Sequence, residues 1–301
     1  MRRIWIKTQL AQLGYTLTEP PIEQFSHWGL ACILCAHTSI GDIYFKVASR
    51  QALFTPEPPL LKGLALFYPD HVPTLLAVDT ERDWMLLADF GQPLEWQAPL
   101  TVHQEILRLL AQMQIASAPR VNELLALGCS DRRLEKLETQ IDALINDADT
   151  LAGLEEAEID QLRAFAPHLK ARCAQLAGYG VPQTLVHGDL HLGNVAYSRG
   201  NYLFFDWTDA SVAHPFFDTI SIFYEEDATI QAHLRDAYLA PWVVFEPMER
   251  LLEIWELAWP LCALHQVISY QHIVANLEGP SQQDMADGLL DWLRKLLKCL
   301  S

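Results

Sequence analysis

The residues best suited to chemistry lie in one run of the sequence, His187-Gly188-Asp189-Leu190-His191-Leu192-Gly193-Asn194. Its glycines favour a loop over a helix. Short apolar stretches follow at residues 195–198 and 202–205, with Arg199-Gly200-Asn201 between them, and this pattern predicts a β-hairpin. Asp206 comes directly after the second stretch. A hairpin centred on Gly200 would bring Asn194 opposite Asp206 at its open end, beside Asp189.

Two aspartates and an asparagine that converge in this way are suited to bind a hard cation. Mg²⁺ prefers oxygen ligands, takes few of them from protein and completes its shell with phosphates and water. Phosphoryl transfer uses such an ion, because charge spreads over the non-bridging oxygens of the transferred group. It also needs a carboxylate to accept the proton of the attacking hydroxyl. The joint pattern therefore favours phosphoryl transfer over a hairpin whose polar residues serve only the turns.

The histidines of the same run allow a competing interpretation. His187 and His191 are four residues apart, a spacing that suits zinc on a helix. However, Gly188 and Gly193 disfavour a helix, and no glutamate lies between the histidines as a metalloprotease requires. Zinc-dependent hydrolysis is therefore the less favoured chemistry.

The composition narrows the classes of partner. The 301 residues carry a formal net charge of −17, which disfavours nucleic acids and anionic membrane surfaces. A cationic substrate would fit this charge, although acidity is also common for solubility alone. No apolar stretch is long enough for a membrane span, and residues 1–15 do not resemble a signal peptide. We therefore expect a cytoplasmic protein that acts on a small molecule, and the sequence does not predict its oligomeric state.

The cysteines predict no disulfide and no closed zinc site. Cys32 and Cys35 form a C-x-x-C pattern, but residues three apart on a strand point to opposite faces. No second pair completes a zinc site. We expect all six cysteines to be free thiols in a reducing compartment.

The elements that position these residues change in kind along the chain, which predicts an α+β fold. Apolar spacing and turn residues predict a helix over 4–13 and a helix that starts at Pro59 and ends before Pro69. Thr101 and Gln104 suggest a capping box for the first long helix of the second half. We predict that residues 1–90 form a small β-rich lobe and residues 91–301 a larger helical lobe. The remaining predicted strands are 33–38, 43–47, 74–79 and 84–88, and the remaining predicted helices are 132–145, 158–176 and the stretch from 218 to 298.

Residues 185–194 resemble the catalytic loop of the aminoglycoside phosphotransferase and choline kinase-like family, relatives of the protein kinases. The resemblance implies a bilobal protein kinase-like fold in which Asp189 is the catalytic base and Asn194 a magnesium ligand. Phe204-Phe205-Asp206-Trp207 looks like the family's magnesium-binding segment, which makes Asp206 the second ligand. Asp218, in His214-Pro215-Phe216-Phe217-Asp218, looks like the residue that buttresses the catalytic loop.

The first lobe resembles the family less strongly. Tyr44-Phe45-Lys46-Val47 looks like the strand whose lysine holds the α- and β-phosphates, and Glu57 looks like the partner of Lys46. Residues 84–91 are similar to the strand and hinge that hold adenine, with Leu87, Ala88, Asp89 and Phe90 as the contacting stretch. Residues 26–31 depart from the family's flexible nucleotide loop, because they contain one glycine and the bulky Trp28, which could instead belong to the core.

Taken together, these features imply an ATP- and Mg²⁺-dependent phosphotransferase. It would move the γ-phosphate to a hydroxyl of a small aminoglycoside-, choline- or sugar-like acceptor, with cationic acceptors included. Residues 1–90 would bind the nucleotide, and residues 91–301 would supply catalysis and the acceptor site. Asp209 and Glu225 are the candidate acceptor-binding carboxylates. The alternative is a catalytically inactive, nucleotide-binding, kinase-like regulatory protein, which the glycine-poor loop suggests.

Overall fold

The computed structural model describes residues 1–48 and 53–300. A five-stranded antiparallel sheet dominates the first part of the chain, in the order β1-β2-β3-β5-β4. The predicted strands are present, and the structure adds the long edge strand β1. The strands are β1 (Leu17–Trp28), β2 (Ala31–Thr38), β3 (Gly41–Ala48), β4 (Leu75–Asp79) and β5 (Trp84–Ala88).

The two faces of this sheet have different roles. On one face, apolar side chains such as Leu34 and Phe45 are buried against Ile6 and Leu10 of helix α1 (Arg2–Gln12). Side chains alternate between faces along a strand. Lys46, which follows Phe45, therefore points to the other face, where it lines a cleft.

Helix α2 (Glu57–Phe67) follows β3 and begins two residues earlier than the sequence pattern predicts. Pro56 occupies the N-cap position and Pro58 lies in the first turn. Proline is tolerated there because the first N–H groups of a helix have no intrahelical partner. This earlier start makes Glu57 the first helical residue and buries its side chain.

The second part of the chain is mainly helical, as the sequence predicts. Helix α3 begins at Leu100 with Pro99 as its N-cap, so the predicted capping box is wrong: Thr101 lies inside the helix, and the Gln104 amide donates to the carbonyl oxygen of His233 at 3.3 Å. The helices are α3 (Leu100–Ser117), α4 (Val121–Ala126), α5 (Leu134–Asn146), α6 (Ala148–Leu151), α7 (Glu156–Leu176), α8 (Ile220–Phe223), α9 (Ala228–Leu239), α10 (Met248–Asn276) and α11 (Pro280–Cys299).

Short strands among these helices carry the loop of interest. They are β6 (Ser130–Asp131), β7 (Thr184–Val186), β8 (Val195–Ser198), β9 (Asn201–Phe204) and β10 (Ser211–Ala213). The β8–β9 hairpin is present, but its register differs by one residue from the prediction: Ser198 pairs with Asn201, and Asn194 lies opposite Phe205. The reason is the turn. Arg199 and Gly200 have φ values of 52° and 87°, as in a two-residue type I′ turn.

Apolar contacts are among those that join the two parts of the chain. Leu60, Leu61 and Leu64 of α2 belong to the same core cluster as the helices of the second part. The tip between β1 and β2 also contacts α10, because Leu30 is buried with Ile273 and Leu277. Among the described residues, no helix is long and apolar enough to span a membrane.

Candidate active site

The loop between β7 and β8 presents Asp189 and is held by a buried carboxylate. The Oδ2 atom of Asp218 accepts the backbone N–H of His187 at 2.7 Å, and its Oδ1 atom accepts that of Gly188 at 2.9 Å. The Gln114 amide donates to the same carboxylate at 3.1 Å. Burial raises the pKa of Asp218 to about 7, against the effect of these donors. Asp218 thus fixes the backbone immediately before Asp189, as the resemblance implies.

Gly188 allows the loop to pass close to a second segment. Its φ is 86°, in the left-handed region, and a Cβ atom at this position would lie 2.2 Å from the carbonyl oxygen of Asp209. Only glycine combines this conformation with so close an approach. The close packing places Asp189 and Asp209 beside the same cavity.

Asn194 is joined to Asp189 through its amide. The Nδ2 atom of Asn194 donates to the backbone carbonyl oxygen of Asp189 at 2.9 Å and to its Oδ2 atom at 3.2 Å. Burial, together with the negative charges of Asp209 and Asp206, raises the pKa of Asp189. Its side chain remains 45% exposed, so the carboxylate is open to a substrate in the cleft.

Lys46 connects the sheet, α2 and the segment after β9. Its Nζ atom lies 2.7 Å from Oε2 of Glu57 and 2.6 Å from Oδ1 of Asp206. Burial opposes the charge on Lys46, but the two carboxylates outweigh it and raise the pKa of the ammonium group. Lys46 is therefore a buried cation held between two anions, as the resemblance implies for Glu57.

Glu57 and Asp206 are themselves held in place by backbone geometry. Oε1 of Glu57 accepts the backbone N–H of Trp207 at 3.0 Å. Asp206 adopts φ 63°, an uncommon value for a residue other than glycine, which turns its side chain towards Lys46. Although burial opposes it, the charge of Lys46 lowers the pKa of Asp206.

The oxygens of Asp206 and Asn194 suit a magnesium ion. Lys46 and Thr208 occupy Oδ1 of Asp206, and its Oδ2 atom has no hydrogen-bond partner within residues 1–48 and 53–300. The Asn194 amide donates through Nδ2, which leaves its Oδ1 atom available as an acceptor. One carboxylate and one amide oxygen are the few protein ligands that Mg²⁺ takes when phosphates and water supply the rest.

A cavity of about 140 Å³ lies beside Lys46 and Asp206 and is lined by Leu87, Asp89 and Phe90. Ala88, the fourth residue predicted for the hinge, does not line it: its N–H donates to the carbonyl oxygen of Thr74 at 3.0 Å, within the sheet. The aromatic rings around this cavity form two pairs. Phe25 and Tyr44 lie 5.1 Å apart, and Phe90 and Phe205 lie 5.0 Å apart.

A second cavity of about 300 Å³ opens on the other side of Asp189 and Asp206. Asp209 lines it, and burial, followed by the negative charge of Asp206, raises the pKa of Asp209 to about 7. Trp28 lines this cavity as well and is 43% exposed, so it does not belong to the core. The other aromatic residues of the lining are Trp96, Tyr224 and Tyr270.

Glu225, the other carboxylate predicted for the acceptor, does not line this cavity. Its Oε1 atom accepts the backbone N–H of Asp227 at 2.9 Å, so it closes a local turn. Glu225 follows Tyr224 in the short connection between α8 and α9, and it is Tyr224 that reaches the cavity. The prediction failed because adjacent residues in a turn point in different directions.

The sequence interpretation missed Trp96 in the connection between β5 and α3. Its ring stacks on that of His191, with the ring centroids 4.7 Å apart and an interplanar angle of 16°. With Tyr224 it forms a T-shaped pair whose ring centroids lie 6.4 Å apart. Trp96 remains 61% exposed. A tryptophan in a polar connecting segment was the available signal, since an exposed aromatic residue in a loop often contacts a ligand.

The arrangement of the histidines does not support the zinc interpretation. Nε2 of His187 lies 2.9 Å from the carbonyl oxygen of Phe205, and its ring packs against Trp207. The His191 ring instead packs on Trp96. The two side chains therefore have separate partners within the described part of the chain.

The fold and this site define a bilobal, kinase-like phosphotransferase. The sequence profile described as "Phosphotransferase enzyme family" matches residues 73–254, and the chain belongs to this family. The predictions of the family, the α+β kinase-like fold and a phosphotransferase are thus confirmed. A search of curated proteins found no match.

Solved structures share the fold at low sequence identity. "Macrolide 2'-phosphotransferase type I" is 14% identical with a TM-score of 0.66, and the match covers 95% of this chain and 96% of that one. The GDP and kanamycin complex of APH(2")-IIia is 13% identical with a TM-score of 0.67, covering 97% and 98%. The choline kinase LicA from Streptococcus pneumoniae is 14% identical with a TM-score of 0.64, covering 97% and 99%.

Proposed function

We propose that this protein is an ATP- and Mg²⁺-dependent kinase that transfers the γ-phosphate to a hydroxyl group of a small molecule. One observation carries the proposal: the buried Lys46 joins Glu57 to Asp206, and Asp206 and Asp189 line one cavity. A phosphate-binding cation, an oxygen ligand set and an acceptor-facing carboxylate are the parts that phosphoryl transfer requires. We propose the cytoplasm as its location, since ATP is available there and the cysteines within the described residues are free.

Each residue has one task in this proposal. Asp189 accepts the proton of the attacking hydroxyl. Lys46 binds the nucleotide phosphates, and Glu57 orients the lysine. Leu87, Asp89 and Phe90, which line the first cavity, would contact the base, whereas the Ala88 N–H is already used in the sheet.

Asp206 and Asn194 would hold the magnesium ion, which neutralises charge on the transferred group. The Asn194 amide also donates hydrogen bonds to the backbone carbonyl oxygen and to the carboxylate of Asp189, so the same residue would orient the catalytic carboxylate beside the magnesium ion. We propose the boundary between a nucleotide-binding lobe of residues 1–90 and a catalytic and acceptor-binding lobe of residues 91–301. It falls in the segment after β5, which lines the first cavity through Asp89 and Phe90 and the second cavity through Trp96.

The second cavity supports a small acceptor with a positive charge. Its carboxylates, Asp189 and Asp209, can pair with a cation, and aromatic faces such as those of Trp96 and Tyr270 add cation–π attraction. A volume of about 300 Å³ fits a choline-sized molecule or a single sugar ring more readily than a macrolide.

The test separates an active kinase from an inactive nucleotide-binding protein. The purified chain is incubated with Mg·ATP and a panel of choline, ethanolamine, single sugars and aminoglycosides, and phosphorylated acceptor is measured by mass spectrometry. In parallel, thermal unfolding is followed with ATP, with and without Mg²⁺. We expect one acceptor class to be phosphorylated and the shift by ATP to increase with Mg²⁺. An ATP-dependent shift without any transfer would favour the inactive alternative.

A further inference from the structure

A group of side chains of the types that can bind a metal lies on the strands β1, β2 and β3, outside the set of residues proposed for phosphate transfer. Cys35 of β2 is paired in register with Glu23 of β1, and His37 is paired with Asp42 of β3. Cys35 and His37 are two residues apart, so they project from the same face of the sheet. Asp42 lies four residues before Lys46 on β3, which separates the group from Lys46 by about 13 Å along the strand.

The side-chain atoms of this group already lie close together. Nδ1 of His37 is 2.8 Å from Oδ1 of Asp42 and 3.8 Å from Sγ of Cys35. All three ligand atoms fall within 4.8 Å of one another. A tetrahedral zinc ion places its sulfur and nitrogen ligands about 3.5 Å apart, so only small shifts are needed. The Asp42 side chain is 40% exposed and can move by about 0.5 Å to reach the corresponding distance from His37.

We propose that Cys35, His37 and Asp42 bind a divalent metal ion of the zinc class, with water in the fourth position. Thiolate and imidazole ligands select zinc, cobalt or nickel over magnesium, which prefers oxygen alone. This site is therefore chemically distinct from the oxygen ligands of Asp206 and Asn194. It does not depend on the proposed kinase activity.

The other ring nitrogen of His37 supports this assignment. Nε2 lies 3.5 Å from Oε2 of Glu23. Histidines that bind a metal through one nitrogen usually donate the other N–H to a carboxylate, which fixes the tautomer and the orientation of the ring. Glu23 has the right position for this role.

The hairpin between β2 and β3 holds these residues before any metal binds. The Thr38 hydroxyl donates to the carbonyl oxygen of Gly41 at 2.6 Å, so the turn that separates His37 from Asp42 is fixed. The Cys35 side chain is buried, and the sheet on either side defines its direction. A site with prearranged ligands loses little conformational entropy when it binds an ion.

Cobalt(II) tests the proposal, because a cobalt–thiolate bond gives a near-ultraviolet charge-transfer band. We expect this band to appear on titration of the purified protein with Co²⁺ and to saturate at one equivalent, and Zn²⁺ should displace the cobalt. Cys35→Ser should abolish the band. Cys32→Ser is the matched control: it lies on the same strand, but its side chain packs on the opposite face, so the band should remain.

Further variants distinguish a ligand from a structural residue. His37→Gln and Asp42→Asn change partly exposed side chains, so both should fold, and both should weaken zinc binding in calorimetry. Glu23→Gln should weaken it about 10- to 100-fold, as expected for a partner of the ligand. No charge-transfer band in the wild-type protein, or a band that persists in Cys35→Ser, would overturn the proposal. If Cys35→Ser does not fold, unchanged zinc affinity in both His37→Gln and Asp42→Asn overturns it.

Discussion

At the scale of single residues, Lys46 is the clearest link between sequence and site. A lysine that is buried in an otherwise apolar strand requires an anionic partner, because the burial of an unpaired charge is very unfavourable. The structure supplies two carboxylates from distant parts of the chain, Glu57 and Asp206. Lys46 therefore ties three segments together, and the cost of its burial is offset only while both partners remain.

Removal of Lys46 should destabilise the fold as well as weaken nucleotide binding. We expect Lys46→Met to lower the free energy of unfolding by about 3 to 5 kcal/mol, because it leaves the buried carboxylate of Glu57 without its cation. Urea denaturation measures this change. Lys62→Met on the exposed side of α2 is the matched control and should change stability by less than about 0.5 kcal/mol. Equal stabilities of the two variants would show that the ion pairs contribute nothing.

At the scale of elements, the loop before β8 depends on the close approach of Gly188 to the backbone of Asp209. A comparison of Gly188 with Gly200 can test this approach. Gly188 and Gly200 have nearly the same φ, 86° and 87°. A Cβ atom on Gly200 would meet no atom within 4 Å, whereas on Gly188 it would meet the backbone of Asp209. Alanine at either position has the strain of a positive φ, but only Gly188→Ala adds a steric clash.

The pair of alanine variants isolates that clash. Gly200→Ala should cost about 1 to 2 kcal/mol of stability and leave transfer activity intact. Gly188→Ala should cost about 1 to 3 kcal/mol more and lower kcat, because the Asp189 loop and the Asp209 segment must separate. Chemical denaturation and steady-state kinetics provide both numbers. Similar stability and kcat in the two variants would contradict the close packing of these segments.

A helix or strand could be predicted from the sequence where a single local pattern of residues determines it. The β8–β9 hairpin follows from its two short apolar stretches and from Arg199-Gly200-Asn201, but its register does not, since two- and three-residue turns use similar residues. The capping box at Thr101 failed because Pro99 starts α3 earlier. Ala88 failed for a tertiary reason: its N–H is taken by Thr74, a contact that no local pattern encodes.

The second cavity, beside Asp189 and Asp209, was the least predictable part of the site. Asp209 was proposed because it lies close in sequence to Asp206, and it lines this cavity. Trp96, Tyr224 and Tyr270 come from three distant segments, and only the packed fold brings them together. Glu225 is negatively charged, as a cationic ligand would require, but its side chain closes a local turn and does not line the cavity.

At the scale of the whole molecule, the sheet and the helical region form one closed arrangement. Leu30, at the tip between β1 and β2, is buried against Ile273 of α10 and against Leu277, which directly follows this helix. Gly29 lies against the same helix end, since a Cβ atom there would be 2.7 Å from a methyl group of Leu277. The short, glycine-poor tip therefore lines the second cavity and packs on the helical region, where a flexible loop would have no fixed contact.

We propose that the molecule as a whole transfers phosphate through Asp189. The most direct measurement compares transfer from γ-labelled Mg·ATP by the wild-type protein and by Asp189→Asn, with an acceptor identified from the panel. Asp284→Asn, an exposed change on α11, is the control. We expect Asp189→Asn to lower kcat about 10²- to 10⁴-fold while ATP affinity in calorimetry stays nearly unchanged. Transfer by Asp189→Asn at the rate of the wild-type protein and of Asp284→Asn would contradict the account.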